Sequence, residues 1–352
     1  MTPARVGVRP ETQERRLAVK VLFIGGTGLI STACTDLALR QGVELVHLNR
    51  GVQVKRPRAG VRLIKADIRD KAAARKALKK ERFDCVVDWI AFTTDHVETD
   101  IELFAGRTRQ YIFISSASAY QKPQTHYLVT ESTPLANPHW EYSRNKIACE
   151  ERLMREYRDR GFPVTIVRPS YTYGQVIIPT PWSFDYTIVD RMRRGKKIIV
   201  HGDGTSLWQM THNTDFAKGL AGLLGNLHAL GHAFHITTDE VLSWDQIHRA
   251  IGRAAGVDEP RIVHLPSEFI ARYSTGAGES LLGDKALSTV FDNSKIKRFV
   301  PGFVATVPFA EGVKESVAWF DADPRRRRVS KEQNDWTDRA IADYERIGRS
   351  RP

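Results

Sequence analysis

The sequence predicts an α/β fold: a doubly wound parallel sheet with a smaller C-terminal cap. Three observations carry this. Short apolar β runs alternate with helical stretches through the first half of the chain. A glycine-rich turn, VLFIGGTGLISTA at 21–33, joins the first β run to the first helix. Beyond about residue 174 the alternation loosens into segments with Trp, Pro and Gly.

Each element follows in order. VKVLFI (19–24) reads as a strand, and LISTACTDLALRQG as a helix stopped by Gly42. VELVHL (43–48) and VRLIKAD (61–67) are the next strands, the second followed by the helical KAAARKALKK. FDCVVDWI (83–90) and RQYIFIS (109–115) continue the series with a helix between them. After a long loop, YSRNKIACEERLMREYRDRG is an amphipathic helix and PVTIVRP a strand. GLAGLLGNL reads as a helix and AFHIT (233–237) as a late strand. Alternation of this kind means a parallel sheet covered on both faces. The expected units are a mobile arm at 1–18, a dinucleotide-binding domain at 19–174 completed by about 211–239, a cap at 175–210 and 240–325, and a basic tail at 326–352. The cap is placed over the sheet's carboxyl edge, where open α/β sheets bind ligands.

Composition narrows the class. The chain has 352 residues, is 41% hydrophobic and carries a formal net charge of +12. Basic runs at Lys71–Arg82, Arg191–Lys197 and Arg325–Arg328 favour acidic partners, whether phosphorylated small molecules or nucleic acid, or serve solubility alone. Cys34, Cys85 and Cys149 are far apart and lack ligand spacing, so three buried thiols in a reducing compartment are expected, with no disulfide and no metal site. No apolar run is long enough to span a membrane, and the first 18 residues lack the apolar core of a secretory signal, so a cytoplasmic location is expected.

The glycine turn stands where a dinucleotide loop belongs. Gly25 and Gly28 permit a tight turn and a close approach to a pyrophosphate, with Thr27, Leu29 and Ile30 beside them at the helix start. The spacing is G-x-x-G-x-x-S, so Ser31 takes the place of a third glycine as the next smallest packing choice with a hydroxyl.

Two further motifs carry chemistry. FISSASAY (113–120) closes a strand with serines, and EYSRNK places Tyr142 and Lys146 at i and i+4 on one helix face. A lysine ammonium beside a phenol favours phenolate, as does the positive ring of an oxidised nicotinamide. Bringing a phenol from about 10 to near 7 takes on the order of 4 kcal/mol. A tyrosine so tuned exchanges a proton with an alcohol or ketone while hydride moves, and a serine hydroxyl holds the same oxygen.

Glycine loop, serine-rich strand end and Tyr/Lys helix together resemble the extended short-chain dehydrogenase/reductases, the NAD-dependent epimerase/dehydratase family. IKADIRD, VRPSYTYG (167–174) and HGDGTSLWQMTHNTDFAKG (201–219) add to the likeness, which covers roughly residues 19–320. It implies a Rossmann domain, bound NAD(P), a Ser116–Tyr142–Lys146 triad, adenine contacts at Asp67 and Ile68, and a homodimer through the helix near 95–105 and the Tyr/Lys helix. Ser118 is a further substrate contact; Ser115 is structural.

The departures from the family pattern matter too. Ala117 and Ser118 stand where the resembling dehydratases carry Asp and Glu, which weakens a water-eliminating reaction. Tyr171 and Trp208 replace the Asn and Arg that grip diphosphate, which weakens a nucleotide-sugar substrate. Tyr171, Trp182 and Trp208 either stack on a substrate ring or fill the cap core. Asn49 ends the second strand where NAD-specific members have an acid, and Arg50 follows, which tilts the cofactor toward NADP. The expected reaction is epimerisation of a sugar-type substrate by transient oxidation. Net carbonyl reduction or dehydration are the alternatives. A likeness to the chloroplast stem-loop RNA-binding branch raises RNA binding, which the complete Ser-Tyr-Lys set disfavours.

Overall fold

The computed structural model describes residues 19–51 and 58–349; the expected N-terminal arm at 1–18 lies outside them. The strands are β1 (Lys20–Ile24), β2 (Glu44–Asn49), β3 (Arg62–Lys65), β4 (Phe83–Asp88), β5 (Thr108–Ile114), β6 (Val164–Pro169) and β7 (Ala233–Ile236). They form one sheet in the order β7-β6-β5-β4-β1-β2-β3, every pair parallel. The chain winds one way from β1 to β3 and the other from β4 to β7. The carboxyl ends of β1 and β4 are therefore the switch point, where a crevice opens.

The strands are apolar on both faces because both are covered. Leu22 and Ile24 of β1 face one core with α2 (Lys71–Leu78), α3 (Thr94–Phe104) and α4 (Glu141–Arg160). Val21 and Phe23 face the other, against α1 (Leu29–Arg40) and α6 (Asn213–Leu223). Asp70 caps α2 by accepting from Ala73 N at 3.0 Å. Gly161 ends α4 at φ +69°, a left-handed stop.

The cap is more regular than its sequence suggests. It contains a parallel strand pair, Ile198–His201 with Ile262–Leu265, and the helices α5 (Thr187–Arg193), α7 (Trp244–Ala254) and Phe309–Asp321. The last of these buries Phe309, Val313, Val317 and Phe320 at helical spacing. Residues 331–349 are not a tail. They form a helix that buries Trp336, Ala340 and Ile341 in the cap core, since apolar residues recur beneath the charged ones. Among the described residues no helix is long and apolar enough to cross a membrane.

Candidate active site

The glycine turn is built by close approach. Gly25 and Gly26 have φ of +102° and +63°, and a Cβ on Gly26 would come within 2.7 Å of the His47 ring. His47 stacks on Phe23 and its Nε2 pairs with Thr35 Oγ1 at 3.1 Å. Burial pushes its imidazole down to about 4, so it is neutral at pH 7. Gly25 N donates to Leu48 O, tying the turn to β2.

Ser31 does more than fit. Its Oγ accepts from Gly28 N at 2.8 Å and lies 3.3 Å from Gly28 O. Gly28 is the N-cap of α1 and has no side chain to cap with. The serine three residues on makes the return half of a capping box, accepting from the N-cap N–H, a task no glycine could perform. The packing reading of Ser31 is corrected accordingly.

Two adjoining cavities open over the switch point and share Gly25, Thr27 and Ile90. One, about 370 Å³, is lined by Asn49, Arg50, Gly51, Asp67, Ile68 and Arg69. The other, about 490 Å³, is lined by Gly28, Leu29, Ile30, Phe92, Ser116, Tyr142, Lys146 and Ser170. The two-lobed crevice, with the crowded glycine cradle between its lobes, fits a nicotinamide dinucleotide. Asn49 Oδ1 is used by Gly51 N at 2.9 Å, so no carboxylate ends β2. Among the described residues no ion pair engages Arg50.

Ser116 and Tyr142 are partly exposed to the second cavity, and Lys146 is 1% exposed behind them. The Ser116 hydroxyl sits on the phenol side of the site and acts to lower the pKa of the Tyr142 phenol. Ser116 Oγ is 2.8 Å from Ser118 Oγ, which accepts from Ser143 Oγ at 2.7 Å. Ser118 is 2% exposed and backs Ser116; its burial removes it from the expected substrate contacts.

Lys146 does not act on the phenol as expected. Its Nζ donates to Ala91 O and Ile114 O, each at 2.7 Å, and lies 5.8 Å from the Tyr142 ring centroid. Burial lowers its ammonium to about 8, partly offset by Asp88. Burial also raises the Tyr142 phenol, opposed by Ser116 and reinforced by Asp284. The lysine's charge is spent on backbone carbonyls, so the phenol stays protonated.

Sequence reasoning passed over Asp88 and Asp100, both 0% exposed. Asp88 Oδ1 accepts from Ile90 N and Ala91 N, fixing the turn whose Ala91 carbonyl holds Lys146. Asp100 Oδ2 accepts from Tyr111 OH at 2.6 Å. Burial, with the Asp88 charge beside it, holds the Asp100 carboxyl well above the carboxylate range. A lone Asp ending the apolar run FDCVVD was the available signal.

The three candidate aromatics part company. Trp208 is 0% exposed and packs on Trp244 and Phe291 in the cap core, which rules out its expected stacking on substrate. Trp182 packs on Trp336 and lines a separate cavity between residues 176–185 and 325–336. Tyr171 is 9% exposed, its OH donating to Thr180 O at 2.5 Å. The three cysteines are free and buried, and no metal-binding cluster occurs among the described residues.

Comparisons with known proteins agree with this architecture. The chloroplast stem-loop binding protein of 41 kDa b from Arabidopsis thaliana is 27% identical over 266 residues, 71% of this chain and 67% of that protein. A dTDP-glucose 4,6-dehydratase from Actinoplanes is 27% identical over 195 residues; the match spans 55% of this chain and about half, 54%, of the dehydratase. Among solved structures, an epimerase from Methanothermobacter thermautotrophicus superposes with a TM-score of 0.70 at 15% identity, covering 88% of this chain and 94% of that one. UDP-glucuronic acid 4-epimerase from Bacillus cereus gives 0.68 at 18% identity, covering 86% and 99%. At such identities these structures speak for the fold alone. The model of the NAD dependent epimerase/dehydratase family matches residues 21–105 and 101–236, from the first strand of the sheet to the last. Since that span is more than half of its length, the chain belongs to the NAD dependent epimerase/dehydratase family.

Proposed function

We propose that the protein is an NAD(P)-linked epimerase of a sugar-type substrate, working through a transient ketone. The observation that carries this reading is the meeting of Ser116, Tyr142 and Lys146 in one cavity with the glycine turn. A nicotinamide dinucleotide held by the glycine turn, Asn49, Arg50, Asp67 and Ile68 would supply a reversible hydride acceptor for the reacting carbon. Tyr142 exchanges the hydroxyl proton with the substrate oxygen. Ser116, steered by Ser118 and Ser143, donates a hydrogen bond to that oxygen. Lys146, anchored on two carbonyls, fixes the helix face that presents Tyr142. No carboxylate follows Ser116, which speaks against elimination of water. Arg50 in the adenosine lobe, with no acid at Asn49, supports a cofactor bearing a 2′-phosphate.

The test begins by denaturing the purified protein and assaying the supernatant for NAD and NADP. Sugars deuterated at single carbinols are then turned over. An epimerase keeps its label and leaves the cofactor's redox state unchanged. One equivalent of NAD(P)H formed or consumed per product, or a product lighter by one water, refutes the reading. RNA binding is a second reading, favoured by the likeness to a stem-loop binding protein. Retention of a stem-loop RNA through a rise from about 50 to 200 mM salt would support it, since nonspecific binding collapses there.

A further inference from the structure

Two ammonium groups are buried against one carboxylate where the cap meets the loop after β5. Lys285, 4% exposed, donates from Nζ to Ser280 Oγ at 3.0 Å and Asp284 Oδ2 at 3.1 Å. Lys122, 5% exposed, donates to Asp284 O at 3.1 Å and lies 3.6 Å from Asp284 Oδ1. Burial lowers the Lys122 ammonium; Asp284 opposes that, and Lys285 adds to it by repulsion. One carboxylate cannot balance two ammoniums, and an uncompensated buried charge is costly. The faces of Trp140 and Tyr171, 5.5 and 5.3 Å from Lys285 Nζ, compensate only in part.

This excess charge adjoins the candidate catalytic groups. Trp140 immediately precedes α4, and its ring lies 5.2 Å from that of Tyr142. The Asp284 charge is felt at the Tyr142 phenol. Asn137 Nδ2 donates to Ser118 O at 2.8 Å and to Gly283 O at 2.6 Å. One amide thus ties the turn holding Ser116 to the turn holding Lys285. The latter, Leu281–Lys285, is a single π-helical turn, a wide form frequent at functional sites. A Cβ on Gly283 would come within 2.8 Å of Trp140 Cβ, so tryptophan and turn are locked together.

We propose that Lys285 and Lys122 receive an oxyanion of the substrate, a carboxylate or a phosphate, so that the substrate is an acidic sugar. The sugar part rests on the function proposed above; the anion site does not. Equilibrium binding, which needs no turnover, keeps the two apart. The full chain and its Tyr142→Phe variant are titrated calorimetrically with D-glucuronate, D-glucose 6-phosphate and neutral D-glucose. Both proteins should bind one of the acids about thirtyfold or more tighter than glucose. Which acid is preferred separates carboxylate from phosphate. Lys285→Met and Lys122→Met should abolish the preference and leave glucose binding unchanged. Equal binding of all three sugars, or a preference that survives both substitutions, overturns the proposal. Should the variants fail to fold, the wild-type melting temperature in inorganic phosphate and in glucuronate, against chloride at equal ionic strength, decides. A rise with either anion supports the site, and no rise with both overturns it.

Discussion

Ser31→Gly would install the glycine that a G-x-x-G-x-x-G turn ends on, yet the structure predicts that it destabilises the protein. The wild-type serine holds Gly28 N at 2.8 Å at the start of α1 and is 3% exposed. Losing that capping hydrogen bond costs about 1 kcal/mol. Glycine in the first turn costs about 0.5 kcal/mol more than serine through backbone entropy. The sum is about 1.5 kcal/mol. Ser31→Ala loses the same bond but regains about 0.5 kcal/mol in helix propensity, so it costs only about 0.5 kcal/mol. The expected order of stability is therefore Ser, then Ala, then Gly. Urea unfolding followed by circular dichroism measures it. In thermal unfolding the glycine variant should melt roughly 2 °C lower, from the usual entropy per residue for a chain of this size. A glycine variant as stable as wild type, or more stable than the alanine one, would refute the capping role.

Tyr142→Phe should lower turnover by about a thousandfold or more while NAD(P) affinity, followed by cofactor fluorescence, stays near wild type; activity within tenfold of wild type removes the tyrosine from proton transfer. Arg50→Ala should weaken NADP by about ten- to a hundredfold and leave NAD unchanged; equal losses for both cofactors argue against a 2′-phosphate contact. Acid should unfold the protein before the carboxylates titrate. Burial holds His47, His235 and His248 at about 4 and His201 at about 3. The unfolded chain binds protons at these groups near 6.5 and the folded chain does not, so their stabilisation is whole above about 6.5 and is lost as pH falls toward 4. Asp100, raised by burial and the Asp88 charge, works in the opposite sense but is outnumbered. Urea midpoints at pH 7.5 and 5.5 check this, and equal midpoints would refute it.

What was legible in the sequence is what depends on local pattern. The parallel sheet followed from alternating β runs and helices, and its order β3-β2-β1-β4 puts the glycine turn at the switch point. The family resemblance pointed to Asn49/Arg50 and Asp67/Ile68, and they line one cavity with the glycine turn because strand ends in such a sheet share one edge. The cap was harder to read because its contacts join distant segments. Trp208 read as either a ring platform or a cap-core aromatic, and Trp244 and Phe291 close over it as core. The arginine run at 325–328 gave residues 326–352 the look of a tail. The helix beyond it is anchored by Trp336, Ala340 and Ile341, which meet partners more than 50 residues away. Lys122, Asp284 and Lys285 meet across about 160 residues, so no spacing rule announces them.

The buried charges around Tyr142 say which half of a redox cycle the resting site favours. Lysine at i+4 suggested an activated phenolate. Instead Lys146 is tied to two carbonyls, with Asp88 as its principal opposite charge, and burial with the Asp88 charge raises the Asp100 carboxyl. Asp284 adds negative potential at the phenol, and the Ser116 hydroxyl is the only opposing influence. The chain's own groups therefore keep the Tyr142 phenol protonated at neutral pH, the form that the proposed reduction of the ketone would use. Removing an alcohol proton at the same site needs positive charge closer to the phenol than Lys146, whose Nζ lies 5.8 Å from the ring centroid, and Lys285, which reaches it only across Trp140. Ligand-free protein should accordingly show tyrosinate absorbance from Tyr142 only above the ordinary phenol range on titration. A Tyr142-dependent tyrosinate signal near pH 7 in ligand-free protein would overturn this assignment of charge.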